Sequence, residues 1–400
     1  MSLLEFAPGA PIDWSAVESW LDPIVPAESL AATPQDAAFH AEGDVWTHTK
    51  MALEALVATP GYAALDAVGR QIVAAGVLLH DIGKPSTTRL DPLGEKLISR
   101  GHSARGDNLA RVALWRCGVP FGAREHVCAL IHHHQVPFFG ITKPDPARLA
   151  IRLSLVTRND WLTAVADADG RGRRCADPAD QARIVEHCAL WAEHCRELGI
   201  LDRPQAFASP HTQRVYFESQ SIAGGGGRLP GVLAYDDTTC EVILMSGLPA
   251  SGKDHHLRMR YPELPVISLD ALRDELEADH GDATVIAEAR ERARGYLRAG
   301  TSFAWNATNL TASLRGQLIE LFRSYRARVH IVYVEGTAAE QHARNRARTT
   351  PVPAAVIDRM LVRWAVPDPT EAHQITYLLP PTPESGSGID LAVYPSKIIT

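Results

Sequence analysis

The 400-residue sequence predicts a multi-domain chain, an all-α N-terminal half joined to a C-terminal α/β domain with a mostly parallel sheet. Three observations carry this. An apolar content of 46% over this length can bury more than one core. Residues 14–199 place apolar side chains at three-and-four spacing almost throughout. Beyond residue 240, short apolar runs alternate with amphipathic stretches, and strands separated by helices need crossovers and hence parallel pairing.

In chain order, VWTHTKMALEALVA (45–58), GVLLHDIGKPSTT (76–88), LARVALWRCG (109–118) and QARIVEHCALWAEHCRELG (181–199) read as helices, punctuated by Gly, Pro or Asp. From 204 to 239 the texture changes. PQAFASPHTQ and SIAGGGGRLPG are rich in Pro, Ser and Gly, with RVYFES (214–219) resembling a lone strand between them, so this stretch reads as the connection between domains. Strands follow at EVILMSG, PVISLD, SFAWNAT and RVHIVYVE, with helices at ALRDELEADH, VIAEARERARGYLRA, SLRGQLIELFRSY and AAEQHARNRAR. The expected domains are therefore 1–203, a linker at 204–239, and 240–400.

Several classes are disfavoured. No stretch of 18 or more apolar residues offers a membrane span, and MSLLEFAPGAPIDW lacks the build of a signal peptide. The cysteines at 117, 128, 175, 188, 195 and 240 form no CxxC pair and read as buried thiols of a reducing cytoplasm. With a net charge of −7, nucleic-acid contact would have to come from local basic clusters such as RGRR (171–174), RERARGYLR (290–298) and RNRAR (344–348), which more often are solvated helix faces.

The helical half carries a series of metal-binding side-chain types: His48, His80 with Asp81, His102, the run His132, His133, His134, and Asp167. Imidazole and carboxylate suit divalent metals such as Zn, Mn, Fe or Ni. Neighbouring residues on a helix point about 100° apart. His80 and Asp81 can therefore share a site only if other helices bring His48 and Asp167 around them. A carboxylate can also bridge to a second ion, for which His102 and His133 are natural ligands, and two ions roughly 3.5–4 Å apart activate water and clamp phosphoryl oxygens. This ordered series resembles the HD-domain metal-dependent phosphohydrolases over about residues 40–175. LLHDIGKP, GHSARG and ADADGRGR look most like the HD domains of bacterial tRNA nucleotidyltransferases. The resemblance implies His48, His80, Asp81 and Asp167 as ligands and His102 and His133 for a second metal, with His132, His134 and His126 left as alternatives.

GLPASGKD (247–254) follows a strand and fits a phosphate-binding loop. Gly247, Leu248, Pro249, Ala250, Ser251, Gly252, Lys253 and Asp254 would cradle ATP, with backbone N–H groups and Lys253 on the phosphates. Asp254 departs from the usual Ser or Thr that holds Mg²⁺. It could bind the ion or simply favour the helix N-terminus. Asp270 and Arg273 sit three apart at a helix start, as a base for an attacking hydroxyl and a phosphate clamp; Asp270 as a helix N-cap is the structural alternative. Asn306, Thr308 and Asn309 end a strand at the sheet edge where ligands bind, and Arg344 and Arg348 share a helical face suited to a lid. Together SLDALR, NATN and RNRAR…VP resemble the 5′-OH polynucleotide kinases over about residues 241–375. The resemblance implies Lys253 on ATP, Asp270 as general base, Arg273, Thr308, Asn309 and Arg315 on the acceptor strand, and Arg344 and Arg348 as the lid.

The fusion looks like the bacterial HD-Pnk family of RNA end-healing enzymes. That resemblance implies removal of 2′,3′-cyclic phosphate or 2′/3′-phosphate ends by the HD module. It also implies ATP-dependent phosphorylation of 5′-OH ends by the kinase. Expected cofactors are Mg²⁺ with ATP or another NTP for the kinase, and one or two Mn²⁺, Ni²⁺, Co²⁺, Zn²⁺ or Fe²⁺ ions for the HD module. Expected partners are RNA or DNA ends and an RNA ligase, in the cytoplasm. The alternative is a nucleotide phosphohydrolase fused to a small-molecule kinase, because a P-loop fold does not name its acceptor.

Overall fold

The computed structural model describes residues 2–218, 229–279, 282–381 and 398–399. They fall into two compact units, the first ending at Gln205 and the second beginning at Ala206.

The first unit is helical and is built around the Ala67–Leu79 helix, buried without interruption from Ile72 to Leu79. A helix that is apolar all round has no solvent face and belongs inside. The Val45–Val57, Phe121–His133 and Asn159–Arg171 helices pack against it. Aspartates start several of these segments. Asp44 accepts the Thr47 N–H at 2.8 Å and Asp66 the Gly69 N–H at 2.6 Å, each answering an N–H that the first turn leaves unpaired. The helical reading missed one small hairpin, β1 (Arg89–Leu90) against antiparallel β2 (Leu97–Ile98), whose turn is held by the Asp91 carboxylate on the Glu95 N–H at 2.8 Å.

The second unit is a six-stranded, wholly parallel sheet. In chain order the strands are β3 (Cys240–Ser246), β4 (Val266–Ser268), β5 (Phe303–Asn306), β6 (Ala327–Val334), β7 (Gln374–Leu378) and β8 (Ile398–Ile399). Their spatial order is β4-β5-β3-β6-β7-β8. Its centre is apolar on both faces, with Val242–Met245 and Val329–Val334 buried, as crossover helices on a parallel sheet require. The four strands expected from sequence are all present. β7 was not expected, because QITYL is short and borders Pro-rich chain.

The strand expected within the 204–239 connection is corrected. Residues 210–218 form a helix (Pro210–Glu218), so 214–218 are helical where a strand was expected. Ser209 accepts the Thr212 N–H at 2.9 Å and Pro210 opens the first turn, a helix-start signal that outweighs the β-forming side chains after it. Gln213 donates to the Pro369 carbonyl at 2.7 Å and Arg214 to the Glu371 carbonyl at 2.8 Å, which ties this helix into the second unit. The Gly-rich stretch 224–227 lies outside the described residues. Cys128, Cys188 and Cys195 are buried as expected, whereas Cys117, Cys175 and Cys240 are only half-buried, and none of the six is in a disulfide. Among the described residues, no helix is long and apolar enough to cross a membrane.

Candidate functional site

Four imidazoles line up inside the helical unit. His48 lies on the Val45–Val57 helix, His80 ends the Ala67–Leu79 helix, His102 begins the His102–Arg116 helix, and His134 ends the Phe121–His133 helix. Consecutive ring centroids are 5.3 Å apart for His48 and His80, 5.1 Å for His80 and His134, and 5.3 Å for His134 and His102. Gly83 makes this possible: a Cβ there would run into the His102 carbonyl, so only glycine lets the HDIGK turn lie against the neighbouring helix.

The ligand atoms gather as two triads, His48–His80–Asp169 and Asp81–His102–His134, with the atoms of each within 4.8 Å of one another and every residue buried. His48 Nε2 is 3.1 Å from Asp169 Oδ1 and 3.3 Å from His80 Nε2. Asp81 joins the triads, with Oδ2 3.2 Å from His80 Nε2 and Oδ1 3.4 Å from His102 Nε2. His102 and His134 face each other at 3.4 Å between Nε2 atoms.

Three of the four other ring nitrogens are committed. Nδ1 of His80, His102 and His134 donates to the carbonyls of Val77, Ser99 and Ile131 at 2.7, 2.8 and 2.8 Å, and His48 Nδ1 lies 3.0 Å from Glu42 Oε1. The three carbonyl bonds orient His80, His102 and His134 with Nε2 toward the cluster, the usual support of a metal-binding histidine. Asp81 Oδ1 is buried without a hydrogen-bond partner, a cost that a cation would remove. Against burial, which raises it, His80 and Lys84 hold the Asp81 carboxyl well below the usual range, and Lys84 Nζ sits 2.6 Å from Oδ2. Burial pushes His134 down to about 3, so its ring stays neutral. The residues present fit one or two transition ions.

Two expected ligands lie elsewhere. Asp167 pairs with Arg171 at 2.7 Å on the outer side of its helix, while Asp169 enters the cluster and also pairs with buried Arg173. Two residues along a helix rotate by about 200°, so only one of this pair can face inward. The stripe Trp161, Leu162, Val165, Ala166 runs on to Asp169, and this was the signal available in the sequence. His133 stacks edge-on against His132 at 4.6 Å and is half-buried, whereas His134 occupies the site. His132 is held by Asp107 at 3.1 Å, and His126 contacts Thr157 at 3.2 Å, away from the triads.

In the second unit, β3 delivers residues 247–252 to the C-terminal edge of the sheet and the Lys253–Arg260 helix leaves it. Gly247 has φ 146, and a Cβ there would strike the Val334 carbonyl. Its N–H donates to the Thr308 carbonyl at 2.9 Å, so NATN anchors the loop through backbone. Lys253 Nζ donates to the Gly247 and Leu248 carbonyls at 2.9 and 2.8 Å, and burial lowers its pKa to about 8. The charges of Asp254, Asp270 and Arg348 all act on that lysine. Asp254 Oδ1 accepts from Asn306 Nδ2 at 2.5 Å.

Asp270 is exposed and accepts from Arg273 Nη1 at 2.6 Å, while Arg273 Nε is buried with no hydrogen-bond partner. Asp270 is not the helix cap, because Ser268 fills that role by accepting the Ala271 N–H at 3.4 Å. Arg344 reaches the Ser251 carbonyl at 3.3 Å, but the Ala338–Arg346 helix ends before Arg348. There Asn345 pairs with Val352 through both amide groups, at 2.8 and 3.0 Å, and turns the chain back. Arg315 and Asn309 are corrected from acceptor contacts to internal supports. Arg315 is fully buried, forks onto Glu371 at 2.7 Å through two nitrogens, and reaches the Asn309 and Ala365 carbonyls at 3.0 and 2.8 Å. Asn309 donates to the Met245 carbonyl at 2.7 Å.

The comparisons with known proteins bear on this unit first. Residues 242–367 match the family model for the AAA domain. The second unit is thus a P-loop domain on a parallel sheet. The Multifunctional CCA protein of Halorhodospira halophila is 32% identical over 154 residues, 37% of this chain and 34% of that protein, so the chain spans about a third of the length of the curated relative it matches. A candidate kinase from Chloroflexus aurantiacus j-10-fl matches at 18% identity over 36% of this chain and 86% of its own, with a TM-score of 0.31. Chaetomium thermophilum Kti12 in complex with ADP-AlF3 matches at 17% identity over 34% and 88%, with a TM-score of 0.28.

Proposed function

We propose that this chain heals broken RNA ends, removing 2′,3′-cyclic phosphate or 2′/3′-phosphate termini in its helical unit and phosphorylating 5′-hydroxyl termini from Mg²⁺·ATP in its P-loop unit. The observation that carries the reading is the pair of buried triads joined by Asp81, present in one chain with a P-loop unit. The similarity to a Multifunctional CCA protein agrees with the resemblance of LLHDIGKP, GHSARG and ADADGRGR to the HD domains of tRNA nucleotidyltransferases. Transition ions such as Mn²⁺, Ni²⁺, Co²⁺, Zn²⁺ or Fe²⁺, held by His48, His80 and Asp169 and by Asp81, His102 and His134, would supply an activated water and charge neutralisation at a phosphoester. The chain's own part is to hold four Nε2 lone pairs and two carboxylates converging in a buried site.

In the P-loop unit, Lys253 gives up its loop carbonyls for nucleotide phosphates, Asp270 takes the proton of the attacking hydroxyl, and Arg273 steadies a neighbouring phosphate. Arg344, which reaches the Ser251 carbonyl, and Arg348 would meet charge on the transferred group. Arg273 and Thr308 remain as acceptor contacts. The commitment of Arg315 and Asn309 to the interior favours a second reading, a nucleotide phosphohydrolase joined to a small-molecule kinase.

One experiment separates them. The full chain is incubated with ATP, varied metals and a 5′-OH RNA oligomer ending in 2′,3′-cyclic phosphate, beside a mononucleoside acceptor, and both product ends are read. The first reading expects phosphate at the 5′ end of the oligomer and hydroxyls at the other. Preference for the mononucleoside would overturn it.

A further inference from the structure

We propose, on the kinase reading above, that Asp254 is a specificity-determining residue that makes this P-loop accept nucleotide only as its divalent-metal complex. A phosphate loop of this kind ordinarily places a neutral hydroxyl after its lysine. Here the position carries a carboxylate, exposed and in the first turn of the Lys253–Arg260 helix. It is also held in place. Asn306, buried at the end of β5, donates its amide to Asp254 Oδ1 at 2.5 Å, so the carboxylate cannot swing out to solvent without losing that bond. An amide nitrogen can only donate here, which fixes the partner as an anionic or carbonyl oxygen and leaves the second carboxylate oxygen for another ligand.

The charge lies where phosphates bind, because Asp254 directly follows Lys253 at the start of the helix that leaves the loop. A metal-free nucleoside triphosphate brings several negative charges to the same place. One more fixed negative charge a few ångströms away opposes it, and at the edge of a protein such an opposition is worth roughly tenfold or more in affinity. A hard divalent cation reverses the sign, because the carboxylate oxygen becomes a ligand suited to Mg²⁺ or Mn²⁺. A serine or threonine assists the ion without penalising its absence. Asp254 does both, so the loop discriminates between the two forms of the nucleotide before any transfer occurs.

The test is calorimetric binding of the non-hydrolysable analogue AMP-PNP to the full chain, with Mg²⁺ or with EDTA, with melting temperature recorded for each variant. Wild type should bind the Mg²⁺ complex about a hundredfold tighter than the free analogue. Asp254→Ser and Asp254→Ala should both bind the free analogue about tenfold better than wild type, and Asp254→Ala should also lose most of the gain from Mg²⁺. Asn306→Ala frees the carboxylate but keeps its charge, so it should weaken binding of the Mg²⁺ complex while metal-free binding stays weak. A helix-stabilising role alone would shift the melting temperature and leave the ratio of the two affinities unchanged. An unchanged ratio in Asp254→Ser and Asp254→Ala, with binding intact, overturns the assignment and leaves the kinase reading standing. Wild type that binds the analogue in neither condition overturns the kinase reading, and this assignment with it.

Discussion

His48 and His80, 32 residues apart in the chain, face each other with their Nε2 atoms 3.3 Å apart, and the His80 Nδ1–H donates to the Val77 carbonyl. Glu42 Oε1 lies 3.0 Å from His48 Nδ1, and both rings turn Nε2 toward the same point. A cation between them would relieve that approach, and Asp169 and Asp81 supply the opposing charge.

The neighbouring aspartates should therefore behave differently. Asp169→Asn removes a ligand charge and leaves buried Arg173 facing an amide, so we expect loss of bound metal and a lower melting temperature. Asp167→Asn breaks only a surface pair with Arg171, worth about 0–1 kcal/mol, and should keep both. Metal analysis of the purified variants decides it.

The histidine run gives a parallel contrast. His134→Ala should lower metal content and abolish end-phosphate removal, because its Nε2 belongs to the Asp81–His102 triad. His133→Ala should retain both to within a few-fold. Equal losses in the two variants would count against the triad as drawn.

Lys253 sets a pH dependence. Burial lowers it from 10.5 to about 8, and phosphates beside it favour the charged form, so nucleotide binding takes up a proton above that pH. Affinity should fall as pH rises through 8, by up to about tenfold per unit. The free protein shows the opposite sign. Its unfolded chain holds more protons than the folded one between about 8 and 10.5, so this group's contribution to stability rises with pH over that window. Calorimetric titrations at pH 7 to 9.5 measure the first effect.

Asp270 and Ser268 can now be separated. Asp270→Asn should leave melting unchanged and slow single-turnover phosphorylation by about 10²–10⁴-fold, the usual weight of a general base. Ser268→Ala removes the helix cap and should cost about 0.5–2 kcal/mol of stability with little effect on rate. Near-normal phosphorylation by Asp270→Asn would remove it from the mechanism.

Arg315→Ala should act on folding and not on acceptor affinity. It strips the half-buried Glu371 carboxylate of both its fork bonds, and breaking such a largely buried pair from one side costs up to about 3–5 kcal/mol. A folded variant with weaker acceptor binding would contradict the internal role.

Local pattern was enough to determine the helical half, four of the strands, the phosphate loop and the residue types that gather in each site. Apolar spacing and loop glycines act over a few residues, so one sequence carries them. What the tertiary structure decided is which of several adjacent candidates faces inward. Asp167 against Asp169, and His133 against His134, differ by one or two positions, and a helix turns about 100° at each step. The inward face exists only once other helices pack on it. The same holds for Arg315, which continues the buried stripe of Leu318, Ile319 and Phe322 and meets Glu371, 56 residues away, only in the folded unit.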